Sequence, residues 1–150
     1  MISLHEIIPV LQVAIGPVIL ISGVGLLLLT MTNRLGRAID RARQLAGELQ
    51  KPASQNRDHV LEQVAIIYHR ARVLRLTIGF AAFSVLLAAT LIVTLFLTAL
   101  LRWENGLGVS LIFITCMTSL MLSLVLFIFD IHLGLVALRL ELKKVKPDLA

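Results

Sequence analysis

Residues 76–101 read LTIGFAAFSVLLAATLIVTLFLTALL, a run of apolar and small residues without one Asp, Glu, Lys or Arg. Two more uncharged stretches lie at residues 7–33 and 105–129. Each exceeds the ~20 residues that a helix needs to cross about 30 Å of hydrocarbon. The sequence therefore predicts an all-α membrane protein with three transmembrane helices, at about residues 9–33, 76–101 and 107–129.

The basic residues are distributed unevenly around these stretches. Of the 14 Lys and Arg residues, nine lie in residues 34–75 and four follow residue 129, whereas Arg102 stands alone between the second and third stretches. Loops rich in Lys and Arg stay on the cytoplasmic side of a membrane. We therefore expect a multi-pass protein with its N-terminus outside and its C-terminus cytoplasmic, which suits the bacterial inner (plasma) membrane; an organelle membrane is the alternative. His5 and Glu6 stand where a signal peptide is basic, so no cleavable leader is expected.

The composition supports the same class of protein. A hydrophobic fraction of 58% and a charged fraction of 15% are far from soluble averages. The net charge of +5 could suggest nucleic-acid binding, but the basic residues flank the spans, so no nucleic-acid partner is expected. The 150 residues fit a single membrane domain in contact with membrane lipids.

Helical periodicity continues beyond the first stretch and resumes, after a polar turn at residues 51–56, in front of the second. Apolar side chains share one face of each segment and charged side chains the other. We therefore predict a cytoplasmic helical hairpin at residues 34–75, formed by extensions of helices 1 and 2, and a cytoplasmic tail at residues 139–150. The hairpin projects from the membrane, which we favour because no breaker separates it from the spans, or lies on the headgroups.

Small residues form a stripe on helix 1. Gly16, Gly23 and Thr30 recur every seventh position and fall within about 40° of one another in projection. Such a stripe lets another helix approach closely, so a helix-packing seam is favoured over a substrate path. Pro17 cannot donate to the carbonyl of Val13, which predicts a kink.

Helix 3 carries a polar stripe of Thr115, Ser119 and Ser123 that ends at Asp130, with Cys116 at its edge. Polar groups inside a membrane must face protein or water rather than lipid. The stripe is either a hydrogen-bonded helix seam, which is favoured, or the lining of a pathway.

A charged layer is predicted at the cytoplasmic boundary. Counting ~20 residues through each span brings Arg34, Arg75 and Asp130 to the same depth. A carboxylate partly removed from water needs a partner, and guanidinium offers a fork of donors. We predict that Asp130 pairs with Arg34 or Arg75, within a chain or between chains; a hydrated Asp130 without a fixed partner is the alternative. Arg34, Arg37 and Arg41 also share a polar stripe on helix 1.

Catalytic and metal-binding patterns are weak. His59, Glu62 and His69 lie near one helix face, but a closed metal site needs a second set of ligands. No nucleophile elbow, P-loop, dinucleotide fingerprint or zincin motif is present in the sequence. We expect no metal, no cofactor and no enzymatic activity.

A resemblance rests on the segment from Gly16 to Leu45. It contains GPVILISGVGLLLL at residues 16–29, then Asn33-Arg34-Leu35 and Ile39-Asp40-Arg41-Ala42-Arg43. The chain resembles a bacterial family of small three-span membrane proteins of unassigned function (domain of unknown function family 2721). The resemblance implies three helical spans and a bacterial inner-membrane home, and it supplies no activity or catalytic residue.

Two functions follow as hypotheses. The first is a homo-oligomer that forms a channel-like assembly, whose cytoplasmic mouth is ringed by Arg34, Arg37 and Arg41. The alternative is a membrane-anchored scaffold or interaction protein, which presents the basic hairpin to a cytoplasmic protein partner or to anionic lipid. The oligomer is favoured slightly, because three helices alone cover little of their own polar stripe.

Overall fold

The computed structural model describes residues 4–49, 57–101 and 106–145. These residues form three α-helices: α1 (Leu4–Leu49), α2 (Arg57–Leu101) and α3 (Gly106–Val145). All three are long and apolar enough to cross a membrane, and the described residues contain no strand. The predicted all-α, three-span class is confirmed. The predicted turn at residues 51–56 and the short loop at Arg102 lie outside the described residues.

Each helix is longer than a bilayer crossing requires. With 46, 45 and 40 residues, they exceed the ~20 residues that span the hydrocarbon core. The helical extensions predicted for α1 and α2 are present. Helix α3 also continues beyond the predicted end of its span at residue 129, because no proline interrupts it before Pro147. Part of the predicted tail, residues 139–145, is therefore helical.

The chain divides into two compact units. The first unit comprises the described residues within Met1–Thr30 and Ile78–Ser123, and the second comprises those within Met31–Thr77 and Leu124–Ala150. Each unit thus contains a segment of all three helices.

In the first unit, most buried side chains are small, and many large hydrophobic side chains are exposed. Ala81, Ser84, Ala88 and Cys116 are buried. The exposed hydrophobic side chains include the following: Ile19, Leu26, Leu86, Leu107 and Met121. This distribution suits a lipid environment, where small residues allow close helix packing and large apolar ones face the acyl chains. The protein is a multi-pass membrane protein.

The second unit has a different surface. Its buried residues include Met31, Leu45, Leu74 and Asp130. Its exposed residues include five arginines: Arg37, Arg41, Arg43, Arg72 and Arg75. The second unit therefore buries a carboxylate while most of its described guanidinium groups remain outside.

Candidate functional site

The candidate site is a buried carboxylate with one arginine on each side. The side chain of Asp130, on α3, is 0% exposed. Arg34 of α1 places its Nη2 atom 3.1 Å from Asp130 Oδ2, and Arg70 of α2 places its Nε atom 3.7 Å from Oδ1. One carboxylate in the second unit thus contacts side chains from both other helices.

The guanidinium group of Arg34 packs over an aromatic ring. The guanidinium carbon of Arg34 lies 5.3 Å from the centre of the Phe127 ring. This distance suits a cation–π interaction. Phe127 and Asp130 are three residues apart, so they share a face of α3. That face therefore offers Arg34 both a counter-charge and an aromatic surface.

Arg70 depends on a glycine. A Cβ atom added at Gly134 would lie only 2.9 Å from Arg70 Nη2 and 3.5 Å from its guanidinium carbon. Gly134 follows Asp130 by one helical turn, so both positions lie on the same side of α3. Because Gly134 has no side chain, the end of the Arg70 guanidinium fits against α3 one turn from Asp130.

The cluster is neutralised only in part. Among the described side chains, two guanidinium groups stand beside one carboxylate, so the cluster has one more positive than negative group. Asp130 Oδ1, Asp130 Oδ2 and Arg70 Nε are buried, and none has a hydrogen-bond partner among the described residues. The contacts are thus ion pairs without good hydrogen-bond geometry. A carboxylate within a candidate span is costly unless paired, and its usual roles are functional.

The predicted charged layer is partly correct. The pair between Asp130 and Arg34 is present within one chain. Arg75, the alternative partner, is exposed, and the second guanidinium belongs to Arg70. Arg70 shares a helix face with buried Leu74 and Thr77, whereas Arg75 lies about 140° further round α2. Depth alone had favoured Arg75, but the direction of the side chain decides the pairing.

The two other arginines of the predicted α1 stripe remain outside this cluster. Arg37 and Arg41 are exposed, whereas the side chain of Arg34 is only 24% exposed. The stripe is therefore divided, with Arg34 used inside the second unit and the other two on its surface.

The polar stripe on α3 is a seam with α2. Ser119 Oγ donates a 2.8 Å hydrogen bond to the carbonyl of Phe80. Cys116 Sγ donates to the Ser84 carbonyl at 3.2 Å and lies 3.5 Å from Ser84 Oγ. Ser123 is also buried. This geometry supports the seam interpretation over the pathway.

Thr115 does not belong to that seam. Its side chain is exposed, and its hydroxyl donates to the Leu111 carbonyl of its own helix at 2.7 Å. The neighbouring Cys116, placed at the edge of the stripe by the sequence, lies fully inside it. The buried polar stripe therefore passes through Cys116 instead of Thr115, a shift of about 100° around the helix from the predicted position.

The small-residue stripe on α1 is not used by the chain's own described helices. Gly16, Gly23 and Thr30 are all exposed. No described atom comes within 4 Å of a Cβ atom built at either glycine. Instead, α1 buries Ala14 and Val24, and Val24 lies about 100° away from Gly23. Among the described residues of one chain, the stripe therefore forms no packing seam.

Pro17 lies inside the continuous helix α1 and is half-buried. The kink expected there stays a prediction.

A comparison with protein families gives one match. The family described as "Protein of unknown function (DUF2721)" covers residues 14–140, most of the chain. The chain belongs to this family. The predicted resemblance is confirmed, and the match includes the whole Arg34, Arg70 and Asp130 cluster. No curated protein and no solved structure matches this DUF2721 protein.

Three contacts of the DUF2721 protein were missed by the sequence reasoning: those of Arg70, Phe127 and Gly134. A signal for Arg70 was available. The buried positions of α2 alternate three and four residues apart, at Leu74, Thr77, Ala81, Ser84, Ala88 and Leu91. This is the spacing of a helix-packing seam, and continuing it backwards by four residues reaches Arg70. Phe127 and Gly134 follow once Asp130 is recognised as a seam position, since they lie three and four residues from it.

Metal chemistry has no support among the residues described for this DUF2721 protein. No three His, Cys, Asp or Glu side chains lie together in that part of the chain. Of the residues considered from the sequence, His69 is exposed, and the side chains of His59 and Glu62 lie outside the description. What the Asp130 cluster offers chemically is a pair of oriented, positively charged hydrogen-bond donors.

Proposed function

We propose that the protein is a homo-oligomeric membrane scaffold whose protomers associate through the Gly16, Gly23 and Thr30 stripe of α1. The observation that carries this proposal is the open space over the stripe: a Cβ atom at Gly16 or Gly23 meets no described atom within 4 Å. The Thr30 hydroxyl donates to the Leu26 carbonyl at 3.1 Å, so it presents a satisfied, compact side chain.

The occupant that we assign to this face is a second copy of the chain. Between helices in lipid there is no hydrophobic driving force, so association relies on close van der Waals contact. Stripes of small residues allow that contact, and the protein's own helices pack against a different face of α1, through Ala14 and Val24. Two identical stripes fit each other across a two-fold axis, the commonest symmetry of oligomers.

The scaffold role is preferred to transport because of the α3 polar stripe. Ser119 and Cys116 donate hydrogen bonds to backbone carbonyl groups of α2. Those side chains are therefore not free to line a pathway. The exposed arginines of the second unit, including Arg37 and Arg72, remain available to a protein partner. We place the protein in the bacterial inner membrane, with this unit cytoplasmic as the charge distribution favours, and assign it no enzymatic role.

The experiment counts protomers by native mass spectrometry after extraction into lipid nanodiscs. Wild-type protein should contain two or more copies. The variant Gly23→Leu should weaken association by roughly tenfold, about 1.4 kcal/mol, because the larger side chain separates the helices.

Gly25→Leu is the matched control. Gly25 is also exposed with nothing within 4 Å of its Cβ position, but it lies about 160° away from Gly23 around the helix. Neither leucine collides within the described protomer, so a loss of association confined to Gly23→Leu assigns the interface. A monomeric wild-type protein, or equal behaviour of the two variants, would contradict the proposal.

A channel-like oligomer is the second candidate, and the exposure of Arg37 and Arg41 favours it. In a ring of protomers these side chains could surround a cytoplasmic mouth and attract anions. Chloride flux into liposomes that contain the oligomer tests this function. We expect none; flux that falls in an Arg37→Gln variant would establish the channel instead.

A further inference from the structure

Among the described residues, the Asp130 cluster contains two positively charged side chains and one negatively charged side chain. Arg34 and Arg70 share one carboxylate. Asp40 is the other acidic side chain described in the second unit; it is exposed and lies about 120° from Arg34 around α1. Within the described side chains, one positive charge of the cluster therefore has no counter-charge beside it.

The two arginines of the cluster are partly exposed, whereas its carboxylate is not. The side chain of Asp130 is 0% exposed, whereas those of Arg34 and Arg70 are 24% and 30% exposed. Asp130 contacts Nη2 of one guanidinium and Nε of the other. Each guanidinium has five N–H donors in a planar fork, which matches the oxygens of a phosphate group. A buried carboxylate thus contacts two partly exposed arginines, and the N–H groups that it does not contact suit an anion.

The surroundings of the cluster are apolar. On the same turns of α3, the side chains of Ile128, Phe129 and Ile131 are 55%, 53% and 38% exposed. All three fall within the candidate span Gly106–Gly134. Arg34, Arg70 and Asp130 themselves lie within the candidate spans Leu11–Gly47, Gln63–Leu101 and Gly106–Gly134, so an anion that binds the two arginines does so within apolar helical stretches. An anionic phospholipid has this combination, a phosphate next to acyl chains, whereas free phosphate is fully hydrated.

We propose that Arg34 and Arg70, oriented by Asp130, bind the phosphate group of an anionic phospholipid. The phosphate accepts hydrogen bonds from guanidinium N–H groups that Asp130 does not contact, and the acyl chains lie against the apolar surface of the spans. The ring of Phe127 packs against the guanidinium of Arg34, and the lack of a side chain at Gly134 leaves room for the guanidinium of Arg70. The site lies in the second unit and does not depend on the oligomer proposed above.

The test measures lipid retention by native mass spectrometry of the purified protein, titrated in detergent with phosphatidylglycerol or phosphatidylcholine. Wild-type protein should retain phosphatidylglycerol preferentially. Arg34→Gln and Arg70→Gln should each reduce that preference by roughly tenfold, the size expected for the loss of one charge-assisted hydrogen bond. Arg37→Gln and Arg75→Gln are matched controls, since they remove the same charge from exposed positions on the same helices.

Arg70→Lys replaces Arg70→Gln if the latter does not fold. It keeps a positive charge for Asp130 but cannot bind a phosphate through two parallel N–H bonds, so the preference should still fall. Equal retention by wild-type protein and the Arg34 and Arg70 variants would overturn the site. Equal losses in the control variants would also overturn it, because they would indicate diffuse attraction. The assignment to a phospholipid would be overturned if the protein bound added inorganic phosphate but showed no preference for phosphatidylglycerol over phosphatidylcholine.

Discussion

Asp130 shows how a single charged residue can organise the side chains around it. An ion pair removed from water gains little net stability, because desolvation offsets much of the attraction. Removing one partner is a different matter, since it leaves an uncompensated charge behind. The value of Asp130 therefore lies in fixing where the side chains of Arg34 and Arg70 point.

Replacing Asp130 with Asn removes the counter-charge and leaves the volume unchanged. The free energy of unfolding should fall by about 1–3 kcal/mol, since two partly buried guanidinium groups lose their partner. Thermal unfolding in detergent measures the change. Asp40→Asn, at an exposed site on α1, should stay within about 0.5 kcal/mol of wild type. Indistinguishable unfolding of the two variants would mean that the ion pair has no structural role.

Gly134 provides a second residue-scale prediction. Gly→Ala within a helix normally stabilises by about 1 kcal/mol. At Gly134 the new Cβ atom would meet Arg70 Nη2 at 2.9 Å, so the guanidinium must move away from Asp130. We expect Gly134→Ala to gain much less than Gly36→Ala, where nothing lies within 4 Å. In an Arg70→Gln background the full gain should return; an unchanged difference in that double-mutant cycle would exclude the proposed contact.

At the scale of helices, composition predicted the elements well and their rotation less well. Uncharged length alone was enough to predict three membrane-spanning helices, because a bilayer imposes a minimum apolar length. Depth along the helices brought Arg34 to Asp130 correctly. Depth does not give the direction of a side chain, so Arg75 was named as the alternative partner, whereas the second arginine beside Asp130 is Arg70.

The small-residue stripe illustrates the other limit of sequence reasoning. The sequence showed that Gly16 and Gly23 permit close packing. It could not show whether the neighbouring helix belongs to the same chain, because every helix in lipid can use such a stripe. The buried residues Ala14 and Val24 show that α1 packs within the chain through a different face.

The α2–α3 seam can be tested with two neighbouring residues. Ser119 donates to the Phe80 carbonyl on α2, whereas the Thr118 hydroxyl donates to Ile114 on its own helix at 2.8 Å. Ser119→Ala should destabilise by about 0.6 kcal/mol, and at most about 1.7, as expected for hydrogen bonds between membrane helices. Thr118→Ala should be nearly neutral. Unfolding in mixed micelles compares them, and a larger effect at Thr118 would contradict the assignment.

For the whole molecule, the charge distribution makes a prediction about orientation. Cys116 is the single cysteine, and a Cys116→Ser variant keeps a donor for the Ser84 carbonyl. Into this background, Asn105→Cys and Gln55→Cys are introduced separately. A membrane-impermeant maleimide should label the first in intact cells and the second only after permeabilisation, because residues 34–75 carry nine basic residues. The reverse pattern would invert the topology.

Asp130 follows the two arginines that it contacts by many residues, so the cluster can form only late in synthesis. Arg34 and Arg70 leave the ribosome well before Asp130, and at 5–20 residues per second the first of them waits on the order of ten seconds for its partner. During that interval both guanidinium groups must stay solvated or be held by lipid phosphate. A nascent chain that ends before residue 130 therefore leaves both arginines without the carboxylate that they contact in the complete chain.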